Sequence, residues 1–176
     1  NTTFNQIIKE SGYTGNFFGV YPIKVNQMRE VVEEIVDAGA EYKYGLEAGS
    51  KAELLSVLAL NTTADTLTIA NGYKDNDYMK LVLLGRKLGR KVIVVIEKFS
   101  DLKKIVELSK EMNIEPMIGL RTKISTKGGG KWSESGGEKA KFGLTHVELL
   151  KAVHYLDSQG MRHTIKLLHY HIGSQV

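Results

Sequence analysis

The chain has 176 residues, 42% hydrophobic and 25% charged, which is enough for one domain with a substantial core and lies outside the composition of disordered segments. It has no cysteine, which excludes disulfides, thiolate metal sites and thiol nucleophiles together. The formal net charge of +4 is spread among acidic residues, so no face is dedicated to nucleic acid, and the surplus implies a modest pull toward anionic ligands.

The chain opens with "NTTFNQIIKESG", which has no initiator methionine. An apolar run at 17–25 follows, within "FFGVYPIKVNQ". Strand alternation puts Phe18, Val20, Pro22 and Lys24 on one face and Tyr21, Ile23 and Val25 on the other. Lys24 then stands at the C-terminal end of a buried strand, where an unpaired ammonium costs several kcal/mol. An acidic partner, a depressed pKa or conversion of the amine to a Schiff base would remove that cost. Read alone, the segment also fits a lysine that snorkels out at a strand end.

Helical spacing covers 27–38 and stops at Gly39. A strand at 42–46 leads into "GLEAGSKAEL", with Glu47 at the strand end and a helix over 50–60. Ser50 and Glu53 stand in the Ser-x-x-Glu spacing of a capping box. The strand at 66–70 runs into "NGYK", and the helix at 74–89 stops at Gly89. The run "VIVVI" at 92–96 is apolar on both faces, as a covered parallel strand should be, and is far shorter than the roughly 20 residues of a membrane-spanning helix. Ser100 is placed to cap a helix over 101–112, with Asp101 early in it. The strand at 116–120 ends in "GLRTK", which puts Arg121 at its tip.

Next comes "TKGGGKWSESGGEK" at 126–139, whose composition reads as a mobile loop and whose length suits a lid. It is not a phosphate-binding P-loop, because Ser125 occupies a required glycine position and Trp132 follows the Gly-Lys pair. "KFGL" at 141–144 closes the loop, a helix over 145–159 ends at Gly160, and a last strand spans 165–170. That strand is apolar on both faces and carries His169 and His171 on one of them, in "LLHYHIGSQ".

Strands alternating with helices of this length predict βα units on a parallel sheet. About five and a half units are present, which leaves an open doubly wound sheet or a (β/α)8 barrel. A barrel needs eight strands, so on that reading the chain is an incomplete piece of a longer protein. In either fold the polar groups gather at the C-terminal strand ends, where ligands bind. The His-x-His pair could hold a metal in a hydrolase. Against that, His146, His154 and His163 fall on or beside the last helix, and a core or stacked histidine is the preferred reading.

The strings "GVYPIKVNQ", "GLEAGSKAEL", "NGYKD", "SGGEKAKFGL" and "HIGSQ", in this order and spacing, resemble the biosynthetic arginine decarboxylases of bacteria. These belong to the alanine-racemase-like group of pyridoxal-phosphate enzymes with a (β/α)8 barrel. The resemblance implies a partial barrel of about six parallel strands over 1–176, with a C-terminal β-domain lying elsewhere. It implies that Lys24 carries pyridoxal phosphate as a Schiff base and that His171 stacks on the pyridine ring. Ser174 would bind the phosphate, with the Gly173 backbone close by. Glu47, Glu53 and Arg121 would surround the ring, and Lys141 would lie near a dimer contact.

The implied activity is decarboxylation of L-arginine to agmatine and CO2 in polyamine biosynthesis, by a cytoplasmic homo-oligomer, a dimer or a tetramer of dimers. Magnesium enters by the same resemblance only. Ornithine, lysine or diaminopimelate as substrate, and a non-catalytic barrel that binds the cofactor, remain the alternatives. Neither a nucleic acid nor a membrane is expected as partner, and this piece alone is expected to be inactive.

Overall fold

The computed structural model of the chain describes residues 2–61, 63–124 and 141–172. Gly173, Ser174 and the glycine-rich segment at 126–139 lie outside these residues. A helix, α1 (Thr2–Ser11), precedes the alternation β1 (Val20–Pro22), α2 (Arg29–Ala38), β2 (Gly45–Ala48), α3 (Lys51–Leu60), β3 (Leu67–Ala70), α4 (Asn76–Lys87), β4 (Lys91–Ile96), α5 (Phe99–Met112), β5 (Met117–Arg121), α6 (His146–Ser158) and β6 (Ile165–His169). No helix among the described residues is long and apolar enough to cross a membrane.

The six strands form one parallel sheet in the order β1-β2-β3-β4-β5-β6. A doubly wound sheet reverses its order at a switch point and carries helices on both faces. Neither feature is present among the described residues. One face, with Leu46, Ala70, Val92, Val94, Ile96, Ile118 and Leu120, packs against Val32 of α2, Leu54 of α3, Met79 of α4, Ile105 of α5 and Leu156 of α6. The other face gathers Ile69, Ile93 and Val95 with Val20, Leu67, Met117 and Leu167, and no helical residue joins it. Helices on one side of a sequential parallel sheet make a barrel wall. Each fully buried Leu, Ile or Val in it contributes roughly 1.5–3 kcal/mol through area removed from water.

The helix ends show why the elements fall where they do. Ser50 Oγ accepts from the Glu53 N–H at 3.2 Å, while the Glu53 carboxylate accepts from the Gly49 N–H at 2.6 Å, one residue outside the expected box. A complete capping box forms instead at α6, between Thr145 and Glu148. Gly89 and Gly160 take the left-handed conformation expected of them, with φ of 79° and 70°. Gly39 does not, at φ −87°. Its need is for space, since a Cβ there would stand 2.4 Å from Tyr44 Cβ.

Several expectations are corrected. The first strand is three residues long, and Ile23–Val25 forms a 3-10 turn. Pro22, which has no N–H to offer a further rung, ends the ladder. Ile23 is therefore the buried residue, while Lys24 is exposed and Val25 is 70% exposed. The desolvated Lys24 of the strand reading is not found. Ser100 does not cap α5, because Lys98 adopts the extended N-cap conformation and Phe99 begins the helix. On β6, the last strand of the described sheet, Lys166 and Leu168 are exposed. It also stops at His169, so His171 lies past it and is exposed.

Candidate active site

Side chains alternate along a strand, so the residue two places beyond an inner-face residue stays on the inner face and one step nearer the C-terminal rim. Ile69 leads in this way to Asn71, Val95 to Glu97, Gly119 to Arg121 and Leu167 to His169. Glu47 pairs with Ile69 in register and belongs to the same face. Lys24, Glu47, Asn71, Glu97 and Arg121 line a cavity of about 660 Å³, with Lys74, Asp101, Lys104 and Phe142. That volume lies within the range of small-molecule sites, about 300–1,000 Å³.

The cavity floor is tightly bonded on one side. Arg121 Nη1 donates to Glu97 Oε1 at 2.6 Å, and Lys74 Nζ lies 3.8 Å from Glu97 Oε2 while donating to the Gly72 carbonyl at 2.6 Å. Below them the Tyr78 hydroxyl, rising from α4, donates to the Ala48 carbonyl at 3.2 Å and accepts from the Gly72 N–H at 3.1 Å. This ties the loops after β2 and β3 together. Gly72 has to be glycine there, since a Cβ would meet the Gly49 carbonyl oxygen at 2.5 Å.

Residues 141–144 return beside β5. Leu144 N–H donates to the Arg121 carbonyl at 2.7 Å, Lys123 N–H donates to the Leu144 carbonyl at 2.9 Å, and Gly143 turns at φ 100°. The turn brings the Phe142 ring to 5.7 Å from Arg121 Cζ. A guanidinium at that distance from an aromatic face is attracted to it.

Burial dominates the titration of this floor. It pushes the Glu47 carboxyl up, against the opposing charges of Lys24 and Arg121 and a hydrogen bond from Asn71. Burial likewise pushes Asp101 up and Lys74 down, the latter against Glu97 and Asp101. His169 is held below the usual imidazole range, first by burial and then by the Arg121 charge. Opposed shifts within one cavity mark candidate functional sites.

Among the residues expected from sequence, Lys24, Glu47 and Arg121 are brought together on the cavity. Glu53 is not one of its lining residues; its carboxylate fixes the Gly49 N–H at the start of α3. His171 lies past the strand and is exposed, and Gly173 and Ser174 lie outside the described residues. Lys141 is exposed at the head of the returning turn. Glu97, Lys74 and Asp101 were not singled out as site residues, and His169 was weighed only as half of a His-x-His pair. Stepping two residues past each inner-face strand position would have found Glu97 and Asn71, and it puts His169 on the same inner face.

The lining fits pyridoxal phosphate. Lys24 presents a primary amine able to condense with an aldehyde, and Lys24, Lys74, Lys98, Lys104 and Arg121 outweigh Glu47, Glu97 and Asp101 in charge, as an anionic group requires. Asn71 Oδ1 and His169 Nδ1 are buried without a hydrogen-bond partner among the described residues. Asn71 lines the cavity, and an orphaned atom there is what a bound ligand or water would satisfy.

Comparison with known proteins gives the same direction. Residues 4–176 match the family described as pyridoxal-dependent decarboxylase, pyridoxal binding domain. The chain is 50% identical over 176 residues to the biosynthetic arginine decarboxylase of Bacteroides thetaiotaomicron, covering 100% of this chain and 28% of that protein. It is 47% identical over 176 residues to the protein of the same name from Deinococcus radiodurans, covering 100% of this chain and 27% of the relative. The chain thus spans little more than a quarter of the length of these relatives.

Among solved structures, the biosynthetic arginine decarboxylase of Campylobacter jejuni superposes with a TM-score of 0.86 at 37% identity, over 98% of this chain and 27% of that one. Diaminopimelate decarboxylase from M. jannaschii gives a TM-score of 0.74 at 22% identity, over 98% and 38% of the two chains, and shows the shared fold. With the sequential parallel wall, the amine at its rim and a family match over nearly its whole length, this chain belongs to the pyridoxal-dependent decarboxylases, within their pyridoxal-binding domain.

Proposed function

We propose that the protein containing this chain decarboxylates L-arginine to agmatine and CO2, with pyridoxal phosphate held covalently through Lys24. The observation that carries the reading is the placement of the Lys24 amine, exposed at the rim of a cavity whose floor is built of Glu47, Asn71, Glu97 and Arg121. Arginine as substrate is supported by the names of the relatives at 47–50% identity. When bound, the cofactor supplies the electron sink for the pair left behind as CO2 departs.

The chain's own residues bind, orient and move protons. Arg121, clamped by Glu97 and covered by Phe142, offers its other N–H groups to an anionic acceptor in the cavity. Glu47, raised by burial, can hold a proton nearer neutrality than an exposed carboxyl can, which suits proton exchange at the cavity floor. His171, Gly173 and Ser174 are assigned to the pyridine face and the phosphate by resemblance, and Glu53 to holding the Gly49 backbone. A second, β-rich domain of the longer protein would close the pocket, in a cytoplasmic homo-oligomer.

The test uses the full-length protein. Borohydride reduction followed by peptide mapping is expected to leave the pyridoxyl tag on Lys24, and Lys24→Ala is expected to abolish both tag and turnover. Agmatine release from arginine, set beside ornithine, lysine and diaminopimelate, decides the substrate. A tag on another side chain overturns the Lys24 assignment, and preference for another amino acid overturns arginine.

A further inference from the structure

We propose that Glu97 is a positioning residue: its carboxylate gathers Arg121 and Lys74 from the strand ends on either side and so fixes the direction in which the Arg121 guanidinium meets a bound anion. The proposal rests on the reading above, that the cavity is a ligand site, and adds a role for a residue that acts through Arg121.

Glu97 follows β4, with Lys74 after β3 and Arg121 at the end of β5, so one carboxylate spans three consecutive strand ends. Its two oxygens are divided between the cations, Oε1 at 2.6 Å from Arg121 Nη1 and Oε2 at 3.8 Å from Lys74 Nζ. The three side chains are 15%, 15% and 2% exposed respectively for Glu97, Arg121 and Lys74, so water screens the pairs poorly. Removing the carboxylate would leave two desolvated cations facing each other across the gap, and the cheaper response is for Arg121 to swing toward solvent. The guanidinium is therefore held at one edge by Glu97 and near one face by Phe142. A planar fork held in this way presents its remaining donors in one direction.

The consequence extends around the cavity. The Arg121 charge lowers the proton affinity of both Glu47 and His169. The other charged groups facing this floor are Lys24 after β1, Lys74, Lys98 and, from α5, Asp101 and Lys104. Displacing Arg121 lifts its influence from Glu47, so a pH profile that depends on Glu47 moves to higher pH; at His169 the loss of the Glu97 charge, which raises its proton affinity, opposes that gain. Loss of packing alone would not move it in that sense.

The experiment uses full-length apoprotein and holoprotein with Glu97→Gln, Glu97→Asp and Lys74→Met. Phenylglyoxal modification of Arg121, followed by peptide mass, reads the guanidinium directly. Glu97→Gln is expected to speed modification by at least about tenfold, a lower bound for loss of a largely buried ionic partner. It is also expected to weaken pyridoxal phosphate binding to the apoprotein, and to shift the pH profile of kcat/KM upward. Glu97→Asp should restore most of the protection, because the charge remains. Lys74→Met should slow modification, because Glu97 then serves Arg121 alone.

If Glu97→Gln does not fold, the opposite-signed effect of Lys74→Met carries the test. Unchanged Arg121 reactivity in Glu97→Gln, or in Lys74→Met, overturns the proposal. A wild-type protein that fails to decarboxylate arginine overturns the functional reading instead, and the labelling rates still decide the role of Glu97.

Discussion

The two faces of this sheet do different work, and the change from one to the other takes a single residue along each strand. On the outer face Val92, Val94 and Ile96 are all buried under helices, and nothing there could take part in chemistry. On the inner face Ile93 and Val95 are equally apolar, yet the next inner position is Glu97, at the cavity floor. The same step takes Ile69 to Asn71 and Leu167 to His169. Stability is thus built through the thickness of the wall, while the candidate site lies along its inner rim. A substitution can strike one without the other.

Ile96→Ala is expected to have the largest effect on stability. Ile96 is fully buried on the outer face, and such truncations cost about 2–5 kcal/mol through lost transfer energy and the cavity left behind. Denaturant unfolding of the full-length protein should show the loss, while cofactor affinity of the folded fraction stays unchanged. A large drop in affinity would show that the two faces are not separable.

Tyr78→Phe probes a side chain that reaches from the outer core to the loops at the rim. Its ring belongs to the outer core, and its hydroxyl braces the loops at Ala48 and Gly72. The substitution leaves the Gly72 N–H without its buried partner, at a cost of about 1–3 kcal/mol. Here stability and ligand affinity should fall together, in contrast to Ile96→Ala. Smaller still is Ser50→Ala, which removes the N-cap of α3 and should cost about 1 kcal/mol. Circular dichroism melts of the variant set would rank the three.

The outer face was legible in the sequence because apolar periodicity reports burial directly. All six strands and the five helices of the βα alternation lie within a few residues of their expected places. The choice between barrel and doubly wound sheet was not legible from periodicity, since both give the same alternation and differ only in strand order. At the site, Lys24, Glu47 and Arg121 were found because they sit in distinctive strings. Glu97 was missed because "IEKFSD" reads as an ordinary strand-to-helix turn. Its role depends on Lys74 and Arg121, 23 and 24 residues away along the chain, and only the parallel register brings them together. Lys24 was expected to be buried because alternation was extended through Pro22, which ends the strand. α1 went unread, as its apolar residues have no buried partner; Phe4 stacks on Phe17 at 4.2 Å near the surface.

The smallest expected effect is one of pH, and it sets two inner-face residues against each other. His169 has its Nδ1 buried without a partner among the described residues, and burial, then the Arg121 charge, lowers its proton affinity in the folded state. Below its unfolded pKa of about 6.5 the unfolded chain takes up a proton that the folded one refuses, so stability falls as pH falls through that window. Glu47 has the opposite sign. Burial raises its folded pKa above the ordinary 4.5, so the stability it contributes is fully present below that value and lost as pH rises through the folded value. The two windows approach each other from opposite sides, and their slopes partly cancel in the wild-type protein. His169→Gln removes the positive slope and should uncover the negative one, so that Tm falls more steeply as pH rises between 4.5 and 6.5 than in the wild-type protein. An unaltered slope in His169→Gln would mean that the imidazole is as easily protonated in the folded protein as in water, and the inner rim would then be wetter than its buried, unpartnered nitrogen implies.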